Sequence, residues 1–228
     1  MRVAIFHMPS ADHPLTLAAA RWLGRDAYSG ERFEPVADDA FGSEELAALT
    51  AEPRRYGFHA TMKAPFRLAE GIRIDDVERR LAEFCRASAP CPLTGLRVAT
   101  LGPFFALVPG PAAAEVNPLA ARVVEAFEPF RAPLDAKDLA RRRRTPLTPA
   151  QDAYLTAWGY PYVFDEFQFH MTLTGPVPSD RQAEMAALLH RRFDDLLGGM
   201  AIDSLSIFIE EAPGADFRVH GEHRFESR

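Results

Sequence analysis

FQFHMTLTGP, residues Phe167 to Pro176, reads as a strand with a histidine set into it. Phe167, Phe169, Met171 and Leu173 alternate with His170, Thr172 and Thr174. That period of two puts successive side chains on opposite faces of a strand. An earlier stretch, RRYGFHATMKAP from Arg54 to Pro65, repeats the order aromatic, any residue, aromatic, His, any residue, Thr. His59 and His170 stand close to half the chain apart, so the pair points to an internal duplication.

The segments around the motifs support that reading. The first motif strand reads as Tyr56–Ala64, stopped by Pro65, and the second as Glu166–Gly175. After the first, Asp75 or Asp76 caps a helix to about Ala87, and Leu96–Leu101 and Phe104–Val108 flank Gly102-Pro103 as a hairpin. After the second, Ser179 and Gln182 form a capping box, and Ile202–Glu210 and Phe217–Phe225 make another strand pair. Asn117-Pro118 starts a further helix, and Thr148-Pro149 starts one that Gly159 ends. The expected fold is α+β, with two lobes related by a pseudo-twofold axis. Each lobe is a largely antiparallel sheet with outer helices, and the cleft lies between the sheets. A single bilobal domain covers 1–228, with halves of about 1–112 and 113–228.

Composition narrows the function. The chain has 228 residues, is 47% hydrophobic and carries a net charge of −6. No apolar run reaches the ~18 residues that span a bilayer, so no membrane partner and a cytoplasmic location are expected. A negative net charge disfavours an extended nucleic-acid groove and leaves open a small anionic ligand held by a few local cations. The two cysteines, Cys85 and Cys91, suit neither a disulfide scaffold nor, alone, a zinc site.

His59 and Thr61 share one strand face, roughly 6.6 Å apart, and Lys63 extends the row. A pseudo-twofold axis would bring this row against His170, Thr172 and Thr174. Two imidazoles facing one point can act as base and acid near neutral pH. Threonine hydroxyls can donate to phosphate oxygens, and Lys63 adds a cation. Further candidates for substrate contact are Arg54, Arg55 and Tyr56 beside the first motif, Tyr154 before the second, and Arg144 in the basic run Arg141–Arg144.

HAT (His59–Thr61) and HMT (His170–Thr172), each on a strand of a duplicated chain, resemble the signature of the 2H (two-histidine) phosphoesterase superfamily. RYGFHATMKAPF and YLTAWGYPYVFDEFQFHMTLTGP resemble a narrower bacterial branch associated with phosphonate metabolism. The resemblance covers essentially the whole chain. It implies a phosphoric diester hydrolase of the cyclic phosphodiesterase type, acting without metal or cofactor on a small cyclic nucleotide or ribosyl phosphate. His59 and His170 take the acid and base roles, while Thr61 and Thr172 hold phosphate oxygens. Three other readings stay open: a non-catalytic module that binds a phosphorylated metabolite, an enzyme that processes RNA ends, and a zinc site completed by Asp165 or Glu166.

Overall fold

The computed structural model describes residues 1–110 and 114–226, and the expected division between 112 and 113 falls outside them. Strand β1 (Arg2–His7) opens the chain, followed by helices α1 (Pro14–Leu23), α2 (Ser43–Leu49) and α3 (Ala51–Tyr56) and then by β2 (Ala60–Phe66), the first motif strand. Next come α4 (Ile74–Arg86), β3 (Cys91–Leu93) and the hairpin β4 (Arg97–Leu101) and β5 (Phe104–Val108). Helices α5 (Val116–Phe127), α6 (Ala136–Arg142) and α7 (Pro149–Trp158) lead to β6 (Met171–Thr172), the second motif strand. The remaining elements are α8 (Gln182–Phe193), β7 (Met200–Ile202), β8 (Ser204–Glu210) and β9 (Arg218–Arg224). Among the described residues no helix is long and apolar enough to cross a membrane.

The architecture is α+β and antiparallel, as the sequence indicates. One sheet holds seven strands in the order β4-β5-β6-β2-β1-β8-β9, and β3 and β7 pair separately. Within this one continuous sheet the two motif strands meet where Ala60 of β2 pairs with Met171 of β6. The strand pair that follows the first motif, β4–β5, lies beside the second motif strand. The pair that follows the second motif, β8–β9, lies beside β1, which in turn pairs with β2. Each half of the chain therefore completes the sheet around the other half's histidine.

Helices α4 and α5 cover the sheet at β2, β8 and β9, while α8 packs by β4. Ile5, Leu205, Ile207, Val77, Leu81 and Val123 are fully buried in this core. Burying each such side chain contributes about 1.5–3 kcal/mol before conformational entropy is counted.

Local structure departs from the sequence reading at both motifs. Tyr56 ends α3 and does not begin a strand. Gly57 follows with φ 78°, and a Cβ there would lie 2.6 Å from the Ala27 Cβ, so glycine alone fits this turn. Pro65 lies inside β2 and does not stop it. The second motif strand has only two residues, Met171–Thr172, and a 3₁₀ turn at Phe164–Glu166 takes the residue where the sequence reading begins the strand. Beyond it, the Leu173 and Thr174 N–H groups both donate to the Phe105 carbonyl. Asn117 lies one residue inside α5, and α8 starts at Gln182, beyond the expected cap Ser179.

A bulge in β2 matters most for the site. Phe6 pairs with Thr61, whereas the adjacent Ile5 pairs with Lys63, so Met62 is an extra residue in the ladder. The extra residue reverses the alternation beyond it. Thr61 stays on the face of Phe6, and Lys63 turns to the face of Ile5.

Candidate active site

The Ala60–Met171 pair fixes the site. Counting outward in an antiparallel ladder, His59 lies across from Thr172, and Thr61 lies across from His170. Ala60 and Met171 are themselves buried on the opposite face. The motifs thus cross head to tail, each histidine beside the other motif's threonine, and all four side chains share one face of the sheet.

The two rings are held in the same way. His59 Nδ1 lies 2.9 Å from the Gly57 carbonyl, and His170 Nδ1 lies 2.8 Å from the Gln168 carbonyl. A carbonyl oxygen only accepts, so Nδ1 carries the proton in both rings and Nε2 is the basic nitrogen of the neutral form. His59 Nε2 is 3.1 Å from Thr61 Oγ1 and accepts from that hydroxyl. Two rings tied to carbonyls two residues upstream, with Nε2 left for chemistry, can pass protons to and from one bound group.

The environments of the two histidines differ. The His59 ring stacks on Phe6, with centroids 3.8 Å apart and an interplanar angle of 23°. Burial pushes its pKa down to about 4; the Gly57 carbonyl opposes the shift and the charge on His170 adds to it. His59 is therefore neutral at pH 7, the state a base requires. His170 is partly exposed, with Phe104 at 5.9 Å between ring centroids.

A cleft of about 590 Å³ opens over this face. His59, Thr61, Thr172 and Phe104 line it, and His170 stands outside the lining, across from Thr61. The walls carry four arginines, Arg2, Arg55, Arg141 and Arg142, together with Tyr56 and Tyr160. Arg2 and Arg55 share the buried carboxylate of Glu210.

The structure brings some of the other expected residues to the cleft and keeps others away. Arg55 and Tyr56 line it. Thr174 borders it, but its fully buried hydroxyl accepts from the Phe105 N–H. Lys63 is turned away by the bulge: its Nζ donates to the Val124 carbonyl at 3.0 Å and to Glu128 at 2.9 Å, and it is 4% exposed. Arg54 braces α3, donating to the Leu23 and Ala47 carbonyls and to Thr50. Arg144 follows the end of α6 in an exposed turn, and Tyr154 hydrogen-bonds Asp165 away from the cleft. Glu166 accepts from Gln151, and among the described residues no group of three or more His, Cys, Asp or Glu side chains is placed to hold a metal.

Sequence reasoning missed Arg2 and Phe6, and it singled out Arg144 in the run Arg141–Arg144, and Tyr154, where Arg141, Arg142 and Tyr160 line the cleft. The alternation of β1 offers a signal for the first two, since Arg2 and Phe6 fall on one face of that strand. Arg142 and Tyr160 come from segments whose relation to the motif strands is set only by tertiary packing.

An antiparallel α+β sheet carrying a duplicated histidine–threonine motif describes the class of protein. Within it, the chain belongs to the family described as "Protein of unknown function (DUF1045)", which matches residues 61–218. Two similar proteins are named ribose 1,5-bisphosphate phosphokinase PhnN. The one from Janthinobacterium sp. (strain Marseille) is 38% identical over 222 residues, which is 95% of this chain and 49% of that protein. The one from Laribacter hongkongensis (strain HLHK9) is 34% identical over 219 residues, which is 96% of this chain and 50% of that protein. The chain spans about half the length of these curated relatives. Their names correct the reaction class expected from the sequence: a phosphokinase is a transferase, so a phosphoric diester hydrolase is not supported.

Proposed function

We propose that the cleft binds a small ribosyl phosphate and that His59 and His170 serve as its proton-transfer pair during movement of a phosphoryl group between oxygens. His59, neutral and basic at Nε2, takes the proton of the attacking hydroxyl as that oxygen bonds to phosphorus. The bond from phosphorus to the leaving oxygen breaks, and that oxygen takes a proton from Nε2 of His170 in its doubly protonated, imidazolium form, which leaves the neutral ring with its proton on Nδ1. Thr61 and Thr172 donate to the non-bridging oxygens, where charge accumulates in the transition state. On this reading the chain is a duplicated two-histidine domain of the 2H kind, spanning both halves, and it works in phosphonate metabolism.

The observation that carries the proposal is the in-register crossing of the two motifs, with both Nδ1 atoms tied to carbonyls. The relatives' printed substrate supports a ribosyl phosphate. The test is ³¹P NMR of ribose 1,5-bisphosphate and ribose 5-phosphate, incubated with a hydroxyl acceptor and with the protein, His59→Ala or His170→Ala. The proposal expects a new phosphorus resonance with the wild type. It expects each variant to slow its appearance by at least about 100-fold while keeping the fold.

The half-length match to the relatives favours one other reading, a substrate-holding module whose partner half performs the transfer. In that case the sugar phosphate binds the wild type without any new resonance.

A further inference from the structure

The arginines at the far end of the cleft have no role in the reaction above. Arg2 and Arg55 both contact Glu210, so three charged groups leave one net positive charge. Arg141 is 2.8 Å from Asp138, which also holds Arg67 at 2.8 Å. Arg142 has no carboxylate partner among the described residues. Its Nε is buried without a hydrogen-bond acceptor, and its guanidinium lies 5.6 Å from the centre of the Tyr160 ring. Burial lowers its proton affinity and the charges of Arg141 and Arg2 add to that, while Tyr160 and Asp138 oppose the shift. Arg142 is half-buried, and a cation partly removed from water beside like charges gains from an anion that joins it.

The space between this corner and the histidines is aromatic. Tyr56 lines it, backed by the fully buried Phe217 with ring centroids 5.0 Å apart; Phe6 lies under His59, and Arg2 sits 5.6 Å from the centre of the Phe217 ring. Arg2 and Phe6 lie on one face of β1, their Cα atoms roughly 13 Å apart by strand rise. A polar socket at each end of an apolar floor suits a sugar ring that carries a phosphate at both ends.

We infer that Arg142, with Arg2 and Arg55, forms a second phosphate socket, so that the preferred ligand is a sugar bisphosphate spanning the cleft. This rests on the reading of the histidine–threonine quartet as the first socket. Calorimetric titration of wild type and Arg142→Ala with ribose 1,5-bisphosphate and ribose 5-phosphate tests it, with circular dichroism to verify folding. Wild type should bind the bisphosphate at least about tenfold more tightly, and Arg142→Ala should erase that preference while monophosphate affinity holds. Arg142→Lys should restore part of it. Equal wild-type affinities, or equal loss of both ligands in Arg142→Ala, would overturn the inference.

If neither sugar phosphate binds, the quartet reading fails, and the corner is then tested alone. Inorganic phosphate is titrated into a His59→Ala/His170→Ala variant with and without Arg142→Ala. Saturable binding that Arg142→Ala removes supports the socket, and its absence overturns it.

Discussion

Glu210→Gln probes the charge lattice that sets the cationic wall of the cleft. The Glu210 carboxylate is 1% exposed, contacts Arg2 and Arg55, and accepts the Gly214 N–H at 3.0 Å. Burial alone would raise its pKa, but Arg2, the Gly214 N–H and Arg55 outweigh burial and hold it at about 2, below its ordinary 4.5. That difference corresponds to about 3 kcal/mol of folding stability. Because the folded pKa is the lower one, the contribution is complete above pH 4.5 and is lost as pH falls through about 2. The amide keeps the shape and removes the charge, leaving two guanidinium groups that are only 26% and 28% exposed. Urea unfolding at pH 7 should show a loss of about 2–3 kcal/mol, somewhat below the cost of breaking a fully buried pair. In wild type the urea midpoint should fall steeply between pH 4.5 and 2, and in Glu210→Gln that slope should flatten. A variant within about 0.5 kcal/mol of wild type at pH 7, or one with the same acid slope, would refute the reasoning.

Three further perturbations address the motif strands. By NMR the His59 ring should titrate near pH 4, and Phe6→Leu, which removes the stacked ring, should move that midpoint toward 6.5. The folded pKa is the lower one here too, so His59 contributes stability above pH 6.5 that disappears as pH falls through 4, and Phe6→Leu should shrink this acid sensitivity. Gly57→Ala should destabilise by about 2 kcal/mol or more in a thermal melt, because φ 78° and the 2.6 Å approach to Ala27 both oppose a Cβ. Lys63→Met should cost about 1–3 kcal/mol by removing the Val124 carbonyl's Nζ donor and leaving Glu128 to Arg131 alone, yet leave ribosyl phosphate affinity unchanged in calorimetry.

The quartet was legible because its signal is local and doubled. Two His-x-Thr units in phase with aromatic neighbours identify themselves without knowledge of the fold. A helix with explicit stops was equally readable: Thr148 and Gly159 bracket α7. Lys63 was misplaced because strict alternation was carried through Met62, and a bulge arises from pairing with β1, which the β2 sequence does not display. Tyr56 was read as strand because its aromatic spacing resembles that of the second motif, although α3 claims it first. Within the basic run, α6 ends at Arg142 and sends Arg141 and Arg142 to the cleft, while Arg144 falls in the turn beyond. The exchange of strand pairs between halves is a property of tertiary assembly and has no local sequence mark.

A crystal structure grown with ribose 5-phosphate tests the central claim most directly. The account predicts one phosphate group within hydrogen-bond distance of both Nε2 atoms, His59 and His170, and of the Thr61 and Thr172 hydroxyls. A phosphate that engages only one of the two motifs, or that binds elsewhere while both rings keep their present contacts, would contradict it.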